Sequence, residues 1–175
     1  METLQFGDRS NGALQHTTGT LLSTLMKSPR LSLEASYART LLPLARLWRQ
    51  AADRALSDMG VSASLGWALV QVGRSGDAIR QTDLAAALEI SAASLVRLAD
   101  QMVAAQLVER LRDANDARVS RIRLTDRGRA LVETIEARFA ALRQEMLGDV
   151  TDRDLATALS VAERLGARFM QERVK

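Results

Sequence analysis

The chain has 175 residues, 47% of them apolar and 26% charged, with two prolines and no cysteine, which is the composition of a folded soluble domain that needs no disulfide or metal staple. The absent cysteine excludes disulfides, thiolate nucleophiles and zinc–thiolate centres. The single histidine, His16, stands apart from any acidic cluster, so neither a metal nor a histidine relay is expected.

Phosphate-loop and nucleophile-elbow motifs are missing, so the chain reads as a non-enzyme without a cofactor. No apolar run reaches the ~18 residues of a membrane span. Glu2 and Asp8 stand where a secretory leader carries basic residues, and a cytoplasmic protein with no membrane partner is expected. The net charge of +3 conceals an uneven distribution. All but Lys27 and Lys175 of the 24 cationic side chains are arginine, whose planar fork suits phosphate and guanine. Residues 110–129 hold seven arginines against Asp113, Asp116 and Asp126, so the positive field gathers in one short segment.

Residues 1–31 show no sustained period and read as an N-terminal arm, with room for one helical turn at 21–26. From Ser32 the pattern becomes helical. Tyr37, Leu41, Leu44, Trp48, Ala51 and Ala55 recur at alternating spacings of four and three, and Pro43 marks a helix start or a kink. Ser62 caps a second helix to about Val72. A third covers about Arg80 to Leu88, with a non-standard cap in Arg80. Ser91 caps a fourth, to about Ala105. On this helix Leu95, Leu98, Ala99 and Met102 form one face, and Ala93, Ser94, Arg97 and Gln101 the other.

The period then drops to two. Residues 107–112 and 119–124 read as strands of a hairpin with a turn at 113–118. In the second strand Ser120, Ile122 and Leu124 face one way, and Val119, Arg121 and Arg123 the other. Thr125 caps a long helix with the stripe Val132, Ile135, Phe139, Leu142 and Met146. Thr151 caps a last one with Leu155, Leu159, Ala162, Leu165 and Phe169. These two stripes exceed what one small domain buries and predict self-association.

Three helices and a hairpin in this order predict a winged helix-turn-helix over about 61–126. The fourth helix offers its outward face to a major groove, where Ala93 and Ser94 permit close approach and Arg97 reaches a guanine edge or a phosphate. Ser91 reads first as the cap of that face. Arg118 at the hairpin tip suits a narrow minor groove, and Asp116 suits a buttress for it. Arg121 and Arg123 read either as phosphate contacts or as solvated charges of the wing.

Five stretches, Leu84-Ala85-Ala86-Ala87-Leu88, Ser94-Leu95-Val96-Arg97, Leu107-Val108-Glu109-Arg110, Asp116-Ala117-Arg118 and Leu124-Thr125-Asp126-Arg127-Gly128, together resemble the MarR family of bacterial transcription regulators. Arg46-Leu47-Trp48-Arg49 and Trp67 resemble its SlyA branch. The likeness runs from about Leu42 to Phe169. It implies a mainly α fold with a small β-hairpin wing (α+β), set in a MarR-type domain over 32–175 with interleaved dimerisation helices at about 36–58 and 127–173. It also implies a homodimer on a palindromic operator, released or modulated by a small aromatic or phenolic carboxylate. In relatives the region of Arg46, Trp48, Arg49 and Trp67 lines an effector cleft, whereas a tryptophan on an apolar helix face is more often core. The chain departs from the family at Ala117, where many relatives carry a second arginine, at Glu89, where they often carry glycine, and at the Arg80 cap.

Two rival functions are weaker. A winged-helix protein-interaction module without DNA binding leaves the cationic wing unexplained. An enzyme on a helical scaffold would need a convergent polar cluster that the residue types do not supply.

Overall fold

A computed structural model describes residues 28–112 and 119–172. The turn at 21–26 and the hairpin tip at 113–118 fall outside these residues. The chain divides into two compact units, Met1–Gln50 and Ala51–Lys175.

Helix α1 (Pro29–Asp58) begins three residues before the periodicity shows it. Pro29 fills the first helical position, where its preset φ is an asset and its missing N–H is not needed, and the Ser28 carbonyl accepts from Ser32 N at 3.1 Å. The helix neither starts nor stops at Pro43 but runs through it. Within the first unit its side chains are exposed, Leu33, Leu42, Leu44 and Leu47 each by 60% or more. In the second unit its end contributes buried Ala52, Ala55 and Leu56.

Helix α2 (Ala63–Arg74) is capped by the Ser62 hydroxyl, which accepts from Leu65 N. It is followed by strand β1 (Ile79–Arg80), helix α3 (Gln81–Ala87), helix α4 (Ala92–Ala104), strand β2 (Val108–Arg112), strand β3 (Ser120–Leu124), helix α5 (Asp126–Leu147) and helix α6 (Asp152–Glu172). The hairpin is therefore two strands of a three-stranded antiparallel sheet in the order β1-β3-β2. At two residues β1 is too short for alternation to reveal it. Ile79 opposite Ile122 fixes its register.

Helix α2 is the wall shared by two cores. Its Leu69 and Val72 join Leu84, Leu95, Leu98, Met102, Val108, Ile122 and Leu124 in the winged-helix core. Its Val70 joins Leu56, Ile135, Phe139 and Leu142 in the second. Gly66 lets Leu56 approach, since a Cβ there would lie 2.5 Å from that side chain. No side chain of α6 is buried.

Three helix ends share one device. The N–H groups of Gly60 and Val61 bond the carbonyls of Ser57 and Leu56, those of Glu89 and Ile90 the carbonyls of Ala86 and Ala85, and those of Gln106 and Leu107 the carbonyls of Val103 and Met102. This is the Schellman turn, which places its central residue in the left-handed region and favours glycine there. The first turn has glycine, at φ +71, but Glu89 and Gln106 sit at φ +54 and +60. Left-handed backbone costs a non-glycine residue on the order of 1 kcal/mol.

Glu89→Gly is therefore expected to raise stability by about 0.5–1 kcal/mol, read as a higher midpoint in urea unfolding. Gly128→Ala is expected to do the opposite. Its Cβ would fall 1.9 Å from the Leu107 carbonyl oxygen, so backbone must move, and a loss of about 1–3 kcal/mol or more should appear in the same measurement.

Candidate nucleic-acid interface

The fourth helix of the sequence reading is α4, and its two faces divide as the period requires. Leu95, Leu98, Ala99 and Met102 are buried, while Ala92, Ala93, Ser94, Val96, Arg97 and Gln101 are exposed. Ser91 is its N-cap, its hydroxyl accepting from Ser94 N at 3.1 Å. The two hydroxyls, Ser91 Oγ and Ser94 Oγ, lie 2.9 Å apart, so Ser94 is partly engaged by its own cap. Arg97 makes no ion pair or side-chain hydrogen bond among the described residues. Its guanidinium projects from a face with small neighbours and a positive helix N-terminus one turn away, a geometry open to an anionic surface.

The wing arginines differ from Arg97. Arg123 stands opposite Glu109 in the β2–β3 register. Its Nε and Nη2 both lie 2.8 Å from Glu109 Oε1, and Asp77 is 3.8 Å from its Nη1. Hydrogen bonding to Glu109, and then the charge of Glu109, hold its pKa above the usual arginine range against the opposing effect of burial, with a lesser contribution from Asp77. Arg121 donates to the Ala78 carbonyl at 3.4 Å. Both side chains thus tie β3 to the segment entering β1. Asp77 is spent on Arg123, and the α3 N-cap, Arg80, makes no side-chain capping bond. Asp116 and Arg118 lie outside the described residues.

Arg110, which the sequence places in the cationic segment without a role of its own, reaches back to α4. Its Nη1 lies 2.7 Å from Asp100 Oδ1, and its Nη2 donates to the Val96 carbonyl at 3.4 Å. The available signal was the opposite charges on neighbouring elements, but choosing the partners required the strand register and the packing of α4.

Trp67, assigned to an effector cleft by resemblance, donates its indole N–H to Asp53 Oδ1 at 2.7 Å. Its ring centroid lies 5.3 Å from that of Phe139. Arg46, Trp48 and Arg49 belong to the first unit, on the exposed part of α1. A hollow of about 290 Å³ lies within the second unit between α2, β3 and α5. Val70, Leu124 and Val132 form its apolar lining, with Arg74, Glu133 and Glu136 among its charged lining residues. It includes none of the four assigned residues. Arg74 is paired with Glu136 at 2.8 Å.

Among the described residues no helix is long and apolar enough to cross a membrane. The sequence profile of the MarR family matches residues 60–119, from the end of the α1–α2 turn to the start of β3. The crystal structure of the transcriptional regulator PA3341 superposes with a TM-score of 0.70 at 30% identity, covering 77% of this chain and 98% of that one. Wild-type MarR from E. coli, in its apo form, gives 0.64 at 24% identity over 73% and 94% of the two chains. A cysteine-to-serine mutant of E. coli MarR complexed with operator DNA gives 0.58 at 25% identity, over 72% and 95%. The likeness to PA3341 spans almost the whole of that regulator, and the profile match falls on the helices and strands that build the exposed α4 face. Members of this family regulate transcription and are not enzymes, and this chain, with its mostly helical fold and small three-stranded sheet, belongs to the MarR family.

Proposed function

We propose that the protein binds double-stranded DNA sequence-specifically as a homodimer on an inverted repeat, with the two α4 helices in successive major grooves about one helical turn apart. The observation that carries this reading is the outward face of α4. It combines small residues, a capped N-terminus and Arg97, which has no partner of its own among the described residues. A protein-docking surface has no need of that combination, whereas a groove lined by phosphates and base edges does. The E. coli MarR mutant solved on operator DNA supports the same docking.

Arg97, Ser94 and Gln101 are the proposed base and phosphate contacts on α4, with Ala93 allowing close approach. Arg118 is the proposed minor-groove contact, buttressed by Asp116. Arg121 and Arg123 lend the wing their charge while bound to its own frame. A ligand that is DNA implies residence in the cytoplasm.

Self-association is supported by apolar side chains left exposed in each unit, Leu42 and Leu47 in the first and Leu159 and Phe169 in the second, each exposed by more than half. Such residues in quantity belong in an interface. A small aromatic carboxylate as effector remains the family-based part of the proposal. Within the first unit Arg46 and Arg49 supply cations for it and Trp48 supplies ring surface, while Trp67, assigned to the cleft by resemblance, stands in the second unit with its indole N–H on Asp53 and its ring against Phe139.

Fluorescence anisotropy with the DNA upstream of the protein's own gene, against a random duplex, tests the reading at two salt concentrations. Operator affinity should fall steeply with salt, and a flat response in both duplexes would instead support the protein-interaction module. Arg97→Ala and Arg118→Ala should each weaken operator binding by about 1–3 kcal/mol. Sedimentation equilibrium should return the mass of a dimer for the wild type and both variants, and a monomer at micromolar concentration would overturn the symmetric docking.

A further inference from the structure

One feature of α4 does not fit a surface that meets DNA. At 100° per residue, Asp100 lies 20° around the helix from Ala93 and 60° from Arg97, so a carboxylate sits within the reading half of the helix. Near phosphates an unpaired carboxylate is repelled. Asp100 is paired, and its partner comes from the wing. Arg110 spans one turn of α4, with Nη1 at 2.7 Å from the Asp100 carboxylate and Nη2 at 3.4 Å from the Val96 carbonyl.

Strand geometry explains why Arg110 can do this. Arg110 stands opposite Ile122, and Val108 opposite Leu124, so Arg110 lies on the sheet face whose Val108, Ile122 and Leu124 are buried in the core shared with α4. Its neighbour Glu109 necessarily points to the opposite face, where it binds Arg123, which also faces Asp77. The base of the hairpin is gripped on both sides, by α4 on one and by the segment before β1 on the other.

We infer that Arg110 and Asp100 form a positioning pair that fixes the angle between the wing and the recognition helix and removes the one negative charge from the reading face of α4. Neither residue is a contact to base or phosphate. The inference rests on the DNA-binding reading and deepens it. Both side chains are more than a third exposed, so the pair adds little to folding stability. Its value lies in holding strand β2 of the wing against α4, which spares the complex the ordering of a loosely hinged wing on binding.

The test sets positioning against simple electrostatics. Asp100→Asn removes a negative charge beside the DNA, and electrostatics alone predicts tighter binding to every duplex. The positioning pair predicts instead that operator affinity falls about threefold to tenfold, the equivalent of immobilising one or two side chains. Arg110→Gln should lose the same amount, with the slope of affinity against salt unchanged because no phosphate contact is lost. The double variant should lose no more than either single one. All three should melt within a few degrees of the wild type.

Tighter operator binding by Asp100→Asn, a shallower salt slope in Arg110→Gln, or additive losses in the double variant would each overturn the inference while the wild type still binds its operator. A wild type that ignores every duplex at low salt would sink the DNA-binding reading itself, and the pair's role with it.

Discussion

The Leu107 carbonyl is the joint on which the arrangement of reading elements depends. It accepts the Thr125 N–H at 3.1 Å and lies so close to Gly128 that no side chain fits between. Leu107 ends the Schellman turn after α4 and precedes β2, while Thr125 follows β3 and caps α5 through its hydroxyl, which accepts from Gly128 N and donates to the Gln106 carbonyl. Helix α4, both long strands of the wing and the first of the two long C-terminal helices therefore converge on three or four residues. The start of α5 is thus hydrogen-bonded to, and closely packed against, the root of the wing.

Counting arginines overstates the field that the wing presents. The excess of positive charge in 110–129 is real, but Arg110, Arg121 and Arg123 spend their donors inside the protein, on Asp100 and Val96, on Ala78, and on Glu109. Arg129 likewise binds the Leu124 carbonyl and Asp126. These guanidiniums keep their charge, which still attracts phosphate at long range. Part of each donor set is already engaged within the protein, so a directed fork with a phosphate or a base would compete with these bonds. On the proposed DNA-binding reading, directed contact and diffuse attraction are divided between different arginines, with Arg97 in the first class.

Much of this was legible in the sequence because periodicity and capping report directly on local geometry. Ser62, Ser91, Thr125 and Thr151 each cap a helix with a side-chain bond, and the inward face of α4 follows from spacing alone. The helix start at Pro29 was also legible, in the dipeptide Ser28-Pro29, but the apolar period begins later and obscures it. Strand β1 was not legible, since two residues carry no period and its pairing with β3 is a long-range choice. The same holds for Arg110 with Asp100 and Arg123 with Glu109, which depend on register and packing rather than on neighbours in the chain. For Trp67, resemblance pointed to a cleft, and the structure adds what residue type alone left open: an indole N–H given to Asp53 and a ring against Phe139.

The two strained turns and the exposed α6 bear on how such a fold is stabilised. Glu89 and Gln106 bracket α4 in left-handed backbone, so the recognition helix is held at both ends by turns that a glycine would relax. Local sequence therefore does not favour this geometry as strongly as it could, and burial of Leu95, Leu98 and Met102 must hold the helix in place instead. α6 has no such anchor. It is 21 residues long, with its first turn acidic and no residue buried, whereas most helical stability in proteins comes from packing an amphipathic face. On the proposed dimer its apolar stripe gains the partner it lacks within one chain. Formation of α6 and association of the two copies then become one equilibrium, so the stability of the whole depends on protein concentration.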